Sequence, residues 1–313
     1  MLPALAWVPF MSSTRGGGAR LSPTIYRGLF DDASLFPPAS LAMADAIAAH
    51  QRHRAAWYGE MSGPFVCPDA KIAQLSAVLT AANVAELDLA LVLPGGAASL
   101  DASIDAVAAD PRLRLRAVEL PVARTGGDGP GPGSDAVTRA AVAELSAALD
   151  RTPLAGAAAF IEIPAGQVTA EVLGVAADHG YLAKLRTGGV TAAAFPDEHA
   201  LADSLTTLVA RRHAFKCTAG LHHAVRHRAA DSGFEHHGFL NILLAVAAAL
   251  DGANDSTVAN LLANHDSAHV ASAIAGLQPD LCDAVRELFT SFGTCSIDEP
   301  ITDLVTLGLV SEN

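Results

Sequence analysis

The sequence is short of lysine, of aromatic residues and of positive charge, and each shortage excludes something. Only three of its 20 basic residues are lysines, Lys71, Lys184 and Lys216. The formal net charge of −13 leaves no basic footprint for a phosphate backbone, so a nucleic-acid partner is not expected. A polybasic patch for anionic lipid is missing too, and the apolar run Ile242–Leu250 is far too short to span a bilayer, so no membrane partner is expected either. The four cysteines, Cys67, Cys217, Cys282 and Cys295, form no CxxC pair. They fit reduced thiols in a cytoplasmic protein better than a disulfide framework or a zinc knuckle. The apolar start MLPALAWVPFM is short and has no basic n-region; residues 1–22 read as a frayed or flexible tail before a single domain over 23–313. No GxGxxG or GxxxxGK[ST] follows any strand-like run, and no cofactor is expected.

What is present is an alternation of short β-like runs with longer alanine-rich helical patterns, the sign of βα units on a parallel sheet. Eight can be counted. The strands are near Tyr26–Phe36, in GPFVCP ending at Pro68, Leu87–Pro94, Leu113–Pro121, in AAAFIEIP ending at Pro164, Tyr181–Gly189, Ala214–His223 and Phe289–Ser296. The helices are expected over Leu41–Arg54, Asp69–Ala81, Leu100–Ala108, Ala136–Leu149, Thr169–Asp178, Glu198–Arg212, Phe234–Leu250 and Pro300–Leu307. A Gly/Pro-rich stretch, Thr125–Asp135, reads as a flexible loop. Eight units in a chain of 313 residues fit a (β/α)8 TIM barrel in one domain; the competitor is a doubly wound open sheet, which lacks its nucleotide-binding glycines here. The long insert Phe234–Leu288 before the eighth strand reads as a lid or a subunit interface, which leaves room for a homo-oligomer.

Barrel active sites form at the C-terminal ends of the strands. Those ends carry Asp31 and Asp32, Cys67, Glu119, Glu162, Lys184 and Arg186, Lys216 and Thr218 with His222 beyond, and Cys295 with Ser296; Asp88 sits at the start of the third strand. Alternation of strand side chains puts Lys184 and Arg186 on one face, and Lys216, Thr218 and Gly220 on one face, with Leu185, Phe215 and Cys217 turned to the helices. Two lysines and an arginine thus point inward across from two glutamates. Such charges are expensive inside a barrel unless paired, so one reading is a set of structural ion pairs, Lys184 with Glu162 for instance. The other is chemical. Arginine stays charged, but a lysine amine beside another cation has its pKa lowered and becomes a nucleophile toward a carbonyl.

AKLRTGG and FKCTAGLHH, with their lysines on successive strands, resemble the two lysine strands of the deoxyribose-phosphate aldolase family. AFIEIP, LFDDASLFPPAS and GPFVCPDAKIAQL resemble three further segments of that family, so the likeness touches most of the barrel through short motifs. The resemblance implies a class I aldolase barrel, a lyase in which Lys184 forms a Schiff base with a small carbonyl substrate and Lys216 perturbs it, with Glu162 managing charge and protons. The family's aspartate on the fourth strand falls on Ala117, with Glu119 or Asp88 as the substitute; Arg186 stands where the family has serine, Ala219-Gly220 replaces a glycine pair, and His222 replaces an arginine.

Six of the twelve histidines lie between His213 and His237. His222-His223 end the seventh strand, and Glu235-His236-His237 are expected to open the next helix, with Asn241 one turn on. His222 and His237 are candidates for substrate binding or acid–base work, and Arg186, Thr218, Asn241, Asp32 and Ser296 for substrate binding. His222, Glu235, His236 and Glu162 offer a set of N and O ligands, and with them the alternative of a metal-dependent hydrolase or isomerase, but the spacing matches no zinc pattern and no metal is assigned. A third alternative is a barrel that binds a small molecule without catalysis. Cys295 reads as packing, since the sequence offers it no partner histidine, and SFGTCS is a weak candidate anion cradle.

Overall fold

The computed structural model describes residues 24–122, 135–164, 166–189, 191–230 and 232–312. Its parallel strands are β1 (Phe30–Asp32), β2 (Ser62–Pro68), β3 (Leu87–Val92), β4 (Leu113–Pro121), β5 (Ala158–Ile163), β6 (Leu182–Arg186) and β7 (Phe215–Thr218). A small antiparallel pair follows, β8 (His227–Arg228) with β9 (Glu235–His236), and then the last barrel strand, β10 (Phe289–Thr294). The barrel closes in the order β1-β10-β7-β6-β5-β4-β3-β2. This is the (β/α)8 architecture expected from the alternation of patterns.

The outer layer is α1 (Met43–Ala55), α2 (Ile72–Ala81), α3 (Leu100–Ala108), α4 (Asp135–Arg151), α5 (Ala170–Asp178), α6 (Glu198–Ala210), α7 (Phe239–Leu250), α8 (Asp255–Leu262), α9 (Ser267–Ala275), α10 (Pro279–Leu288) and α11 (Asp298–Thr306). Alanine supplies helix propensity at little entropic cost, and local signals set the starts. Thr169, Asp197, Asn254 and Asp266 each accept a backbone N–H of the first turn, and Pro279 opens α10 at a position that needs no N–H. The insert before β10 forms α7 to α10. α7 is buried from Phe239 through Ala247, so it serves as a core helix rather than a lid.

Strand ends are shorter than the sequence pattern suggests. The run Tyr26–Phe36 keeps only three strand residues, because a 3-10 turn (Thr24–Tyr26) precedes them and a turn follows. β7 stops at Thr218 because Ala219 and Gly220 both adopt left-handed backbone, at φ 62 and 77. Glu235-His236-His237 do not open a helix. Glu235 and His236 pair with Arg228 and His227, and the helix begins only after Gly238. A Cβ at Gly238 would lie 2.4 Å from Ala224 O, so only glycine permits that approach. The expected loop at 125–134 and the tail at 1–22 lie outside the described residues; Asp135 is already helical. No helix among the described residues is long and apolar enough to cross a membrane.

One apolar cluster lies between strands and helices and includes Leu185, Phe215 and Cys217, as alternation requires. A second, small one fills the barrel interior: Val66, Ala90, Ala117 and Phe160. The buried charged side chains Asp31, Glu119, Lys184 and Lys216 share that interior.

Candidate active site

Glu162, Lys184, Lys216 and Ser291 are consecutive register partners across β5, β6, β7 and β10. Register alone therefore brings the two lysines together. Glu119, on β4, bridges them: Lys184 Nζ lies 2.8 Å from Oε2 and Lys216 Nζ 2.5 Å from Oε1. The chain of charge extends both ways. Lys216 also donates to Asp31 Oδ2 at 2.5 Å, and Ser291 Oγ donates to the same oxygen at 2.7 Å. Lys184 reaches Glu162 Oε2 at 3.0 Å, and Arg186 Nε donates to Glu162 Oε1 at 2.9 Å. Three cations and three carboxylates thus alternate in one row, Asp31–Lys216–Glu119–Lys184–Glu162–Arg186. Lys216 Nζ stands 5.4 Å over the Phe160 ring, which forms part of the floor.

The row grades from closed to open. The Lys216, Asp31 and Glu119 side chains are each 2% exposed, Lys184 is 6%, Glu162 16% and Arg186 47%. Lys184 and Glu162 form the ion pair between the sealed and the exposed ends of the row.

Burial sets the electrostatics. It favours the neutral form of Glu119, but the two ammonium groups outweigh it and hold the carboxyl down at about 2. Burial likewise opposes charge on both lysines. Glu119 and Glu162 outweigh it at Lys184, and Asp31 and Glu119 at Lys216, so both amines are pushed above the ordinary lysine value. Glu162 is lowered, because Lys184 and Arg186 outweigh its burial. Asp31 is raised, because burial there exceeds the help from Lys216. The lysine–lysine proximity expected from the sequence is present, but the lowered amine pKa is not: the carboxylate between the lysines dominates their mutual repulsion.

Asp31 replaces Asp32 as the β1 member of the site. Asp32 points outward to α1, where its carboxylate accepts the Ser34 N–H at 3.1 Å and meets His50 Nδ1 at 2.9 Å. The pleat decides this, since neighbours on a strand face opposite ways. A Cβ at Gly63 would sit 2.2 Å from Asp31 Oδ1, so β2 needs glycine beside this carboxylate. Asp88 lies apart, at the start of β3, bonded to Arg114 and Arg116. Sequence reasoning singled out neither Ser291 nor Asp31 over its neighbour; a count of inward positions on β1 and β10 was the available signal.

Thr218 is in register with Arg186 and Gly293, at the mouth. The loops after β6 and β7 are locked there: Thr187 Oγ1 donates to Ala219 O at 2.6 Å, and a Cβ at Gly188 would lie 2.7 Å from Gly220 Cα. Three other candidates have structural partners instead. Asn241 is fully buried, accepts from Arg226 N and donates to Leu261 O and Asn264 O. His237 is fully buried, its Nε2 2.8 Å from Pro196 O and its Nδ1 3.2 Å from an Arg226 nitrogen; burial lowers it to about 4, so it is neutral and serves as an acceptor for Arg226. Ser296 Oγ accepts from Glu299 N at the start of α11.

The proposed ligand set of His222, Glu235, His236 and Glu162 is dispersed. Glu162 is held by Lys184 and Arg186, Glu235 by Arg228, and His222 by Glu299, while His236 Nδ1 is 3.3 Å from Gly220 O. Among the described residues, no three His, Cys, Asp or Glu side chains converge as metal ligands. No protein-family profile and no curated protein matches the chain, so the functional reading rests on the chemistry of the row itself.

Proposed function

We propose that the chain is a lyase of the class I aldolase type, acting on a small carbonyl compound through an imine on Lys184. The observation that carries the reading is the ionic row itself, with Lys184 between a sealed carboxylate, Glu119, and one near solvent, Glu162. Glu162 and Arg186 lie toward the C-terminal ends of β5 and β6, and that end of a barrel is where such enzymes do their chemistry, which supports the reading.

The resting ammonium has to lose a proton before it can attack. Glu162 is the acceptor, because it touches Lys184 and Arg186 steadies its other oxygen. The free amine adds to the carbonyl carbon and gives a carbinolamine. Glu162 returns the proton to the carbinolamine hydroxyl, which leaves as water, and the iminium forms. Its positive charge takes the place of the ammonium beside Glu119, so the row stays balanced. The iminium then accepts the electron pair of the breaking carbon–carbon bond. Lys216 does not attack. It is sealed between Asp31 and Glu119 and fixes the position of Glu119.

A second reading has its own support. Both lysines are fully ion-paired and held charged, which suits a barrel that binds a small polar molecule without covalent chemistry. One experiment separates the two. The protein is incubated with a panel of short aldehydes and ketones, reduced with borohydride and mapped by mass spectrometry. A reduced adduct on Lys184, absent from Lys184→Met, is expected, and Lys216→Met is expected to slow its formation by roughly 100-fold through displacement of Glu119. No adduct with any carbonyl, or one only on Lys71, overturns the lyase reading.

A further inference from the structure

The second reactive constellation lies on the rim, where the loop after β7 meets the start of α11. Cys295 directly follows β10. It is buried, yet it belongs to neither apolar cluster, whereas Cys67 and Cys217 are core members and Cys282 packs against the core. Its neighbour is His222: Sγ lies 3.6 Å from Nδ1 and 3.9 Å from Nε2. His222 in turn places Nδ1 2.9 Å from Glu299 Oε2. A thiol, an imidazole and a carboxylate are therefore clustered, with the sulfur and the carboxylate both nearest Nδ1 of one ring, and a cation held beside a thiol favours its nucleophilic form.

The arrangement is held from outside. His223 Nδ1 lies 3.1 Å from Asp303 Oδ2, and Ala224 N donates to the same oxygen at 2.7 Å, so the His222 loop is tied to α11 twice more. Glu299 is in the first turn of α11, and Cys295 lies just before that helix, where its dipole favours an anion. The charged and titratable groups that bear on His222 are Cys295 and Glu299, which contact it, and its chain neighbour His223, which Asp303 holds. Burial alone would lower His222, but its contacts with Cys295 and Glu299 outweigh it and raise the ring to about 9. Elsewhere burial pushes the Cys67 thiol up to about 12 and also raises Cys217 and Cys282.

We propose that Cys295, His222 and Glu299 form a second reactive site, one that takes up a small aldehyde reversibly as a hemithioacetal on Cys295. The sulfur of the thiolate adds to the carbonyl carbon, and the S–C bond forms as the C=O π pair moves to oxygen. The His222 imidazolium gives its proton to that oxygen and becomes neutral, with Glu299 holding the ring. The reverse step releases the aldehyde, and no oxidant, reductant or leaving group is involved. The choice of an aldehyde rests on the lyase reading, because Cys295 is two residues beyond Gly293, the register partner of Thr218 at the same mouth. The reactivity of the thiol does not.

The test is iodoacetamide labelling of the full chain, with all four cysteines followed by peptide mass spectrometry. Cys295 is expected to react at least about tenfold faster than Cys282 near pH 6, and to slow less than about threefold from pH 8 to pH 6, where an ordinary thiol slows by tens of fold. His222→Ala and, more gently, Glu299→Gln are expected to restore the ordinary slope. Excess acetaldehyde is expected to protect Cys295, and to protect it equally in Lys184→Met. An ordinary pH slope in the unmutated protein, or labelling no faster than at Cys282, overturns the activated site. Fast labelling without acetaldehyde protection overturns the aldehyde as its ligand. Protection that persists while no imine forms on Lys184 removes the lyase reading alone.

Discussion

β4 carries an ionic cluster at each end, and the two differ in nearly every property that matters. At its start, Arg114 meets Glu86 at 3.0 Å and Asp88 at 3.1 Å, and Arg116 meets Asp88 at 2.7 Å. Those arginines are 43% and 40% exposed. Three residues after Arg116, Glu119 is sealed between two lysines. Both clusters satisfy the rule that charge in or near a barrel is paired. The first uses cations that never deprotonate, in water, where pairing is weak. The second uses lysines, whose amines can lose a proton, and removes them from water, where each partner is indispensable. Local pairing looks alike in both places; burial and residue type separate a surface staple from the sealed row.

The largest test of that contrast removes one charge from each cluster. Glu119→Gln leaves two buried ammonium groups facing each other, and unfolding at neutral pH is expected to become easier by about 3–5 kcal/mol. Asp88→Asn is expected to change stability by less than about 1 kcal/mol. Urea denaturation of both variants measures this, and equal costs would break the comparison.

The next effect is in acid. Glu119 falls from an ordinary value of 4.5 to about 2 on folding. A lowered carboxylate contributes stability that is present above its unfolded value and disappears as the pH falls through the folded one. Glu162 has the same sign. Asp31 is raised and opposes them, because its ionisation in the fold costs stability above its ordinary 3.8. The raised lysines contribute below their ordinary 10.5, and that contribution is lost only as the pH climbs past their folded values. The Glu119 contribution is therefore expected to be constant above about pH 5 and to drop by about 3 kcal/mol on the way to pH 2, since each pKa unit is worth about 1.4 kcal/mol. Glu119→Gln should flatten that acid limb. A limb of unchanged depth in the variant would assign it to surface carboxylates instead.

Much of this contrast was legible beforehand, and the reasons for the rest are physical. The alternation of patterns gave eight units, with β4 and α3 at their observed bounds. The two lysines stood out through scarcity, and the period-2 rule turned them inward with Glu119 and Glu162. The choice between Asp31 and Asp32 failed, since it depends on where a strand of three residues begins. The histidine run was misread for a different reason. Glu235 and His236 answer to hairpin partners seven and nine residues upstream, and periodicity carries no signal for such a short pair. Nor does sequence distance reveal that His222 meets both Cys295 and Glu299, more than 70 positions away, since only barrel closure brings them together. The direction of the lysine shift was hidden as well. It depends on one carboxylate standing between the amines, a geometry that spacing along the chain does not encode.

The smallest expected effect is also the most selective. Raising salt from about 0.1 M to 1 M shortens the screening length from about 10 Å to about 3 Å. Charges open to water feel this, while charges sealed by protein feel little of it. The small stability difference between the unmutated chain and Asp88→Asn should therefore shrink with salt, by a few tenths of a kcal/mol. The difference for Glu119→Gln should stay constant, because no counterion reaches the gap between Lys184 and Lys216. Unfolding series at the two salt concentrations measure both differences at once. If salt were to relieve the Glu119→Gln penalty, the gap would be open to ions and water, and Lys184 would lose the dry surroundings in which its two neighbouring carboxylates decide its charge.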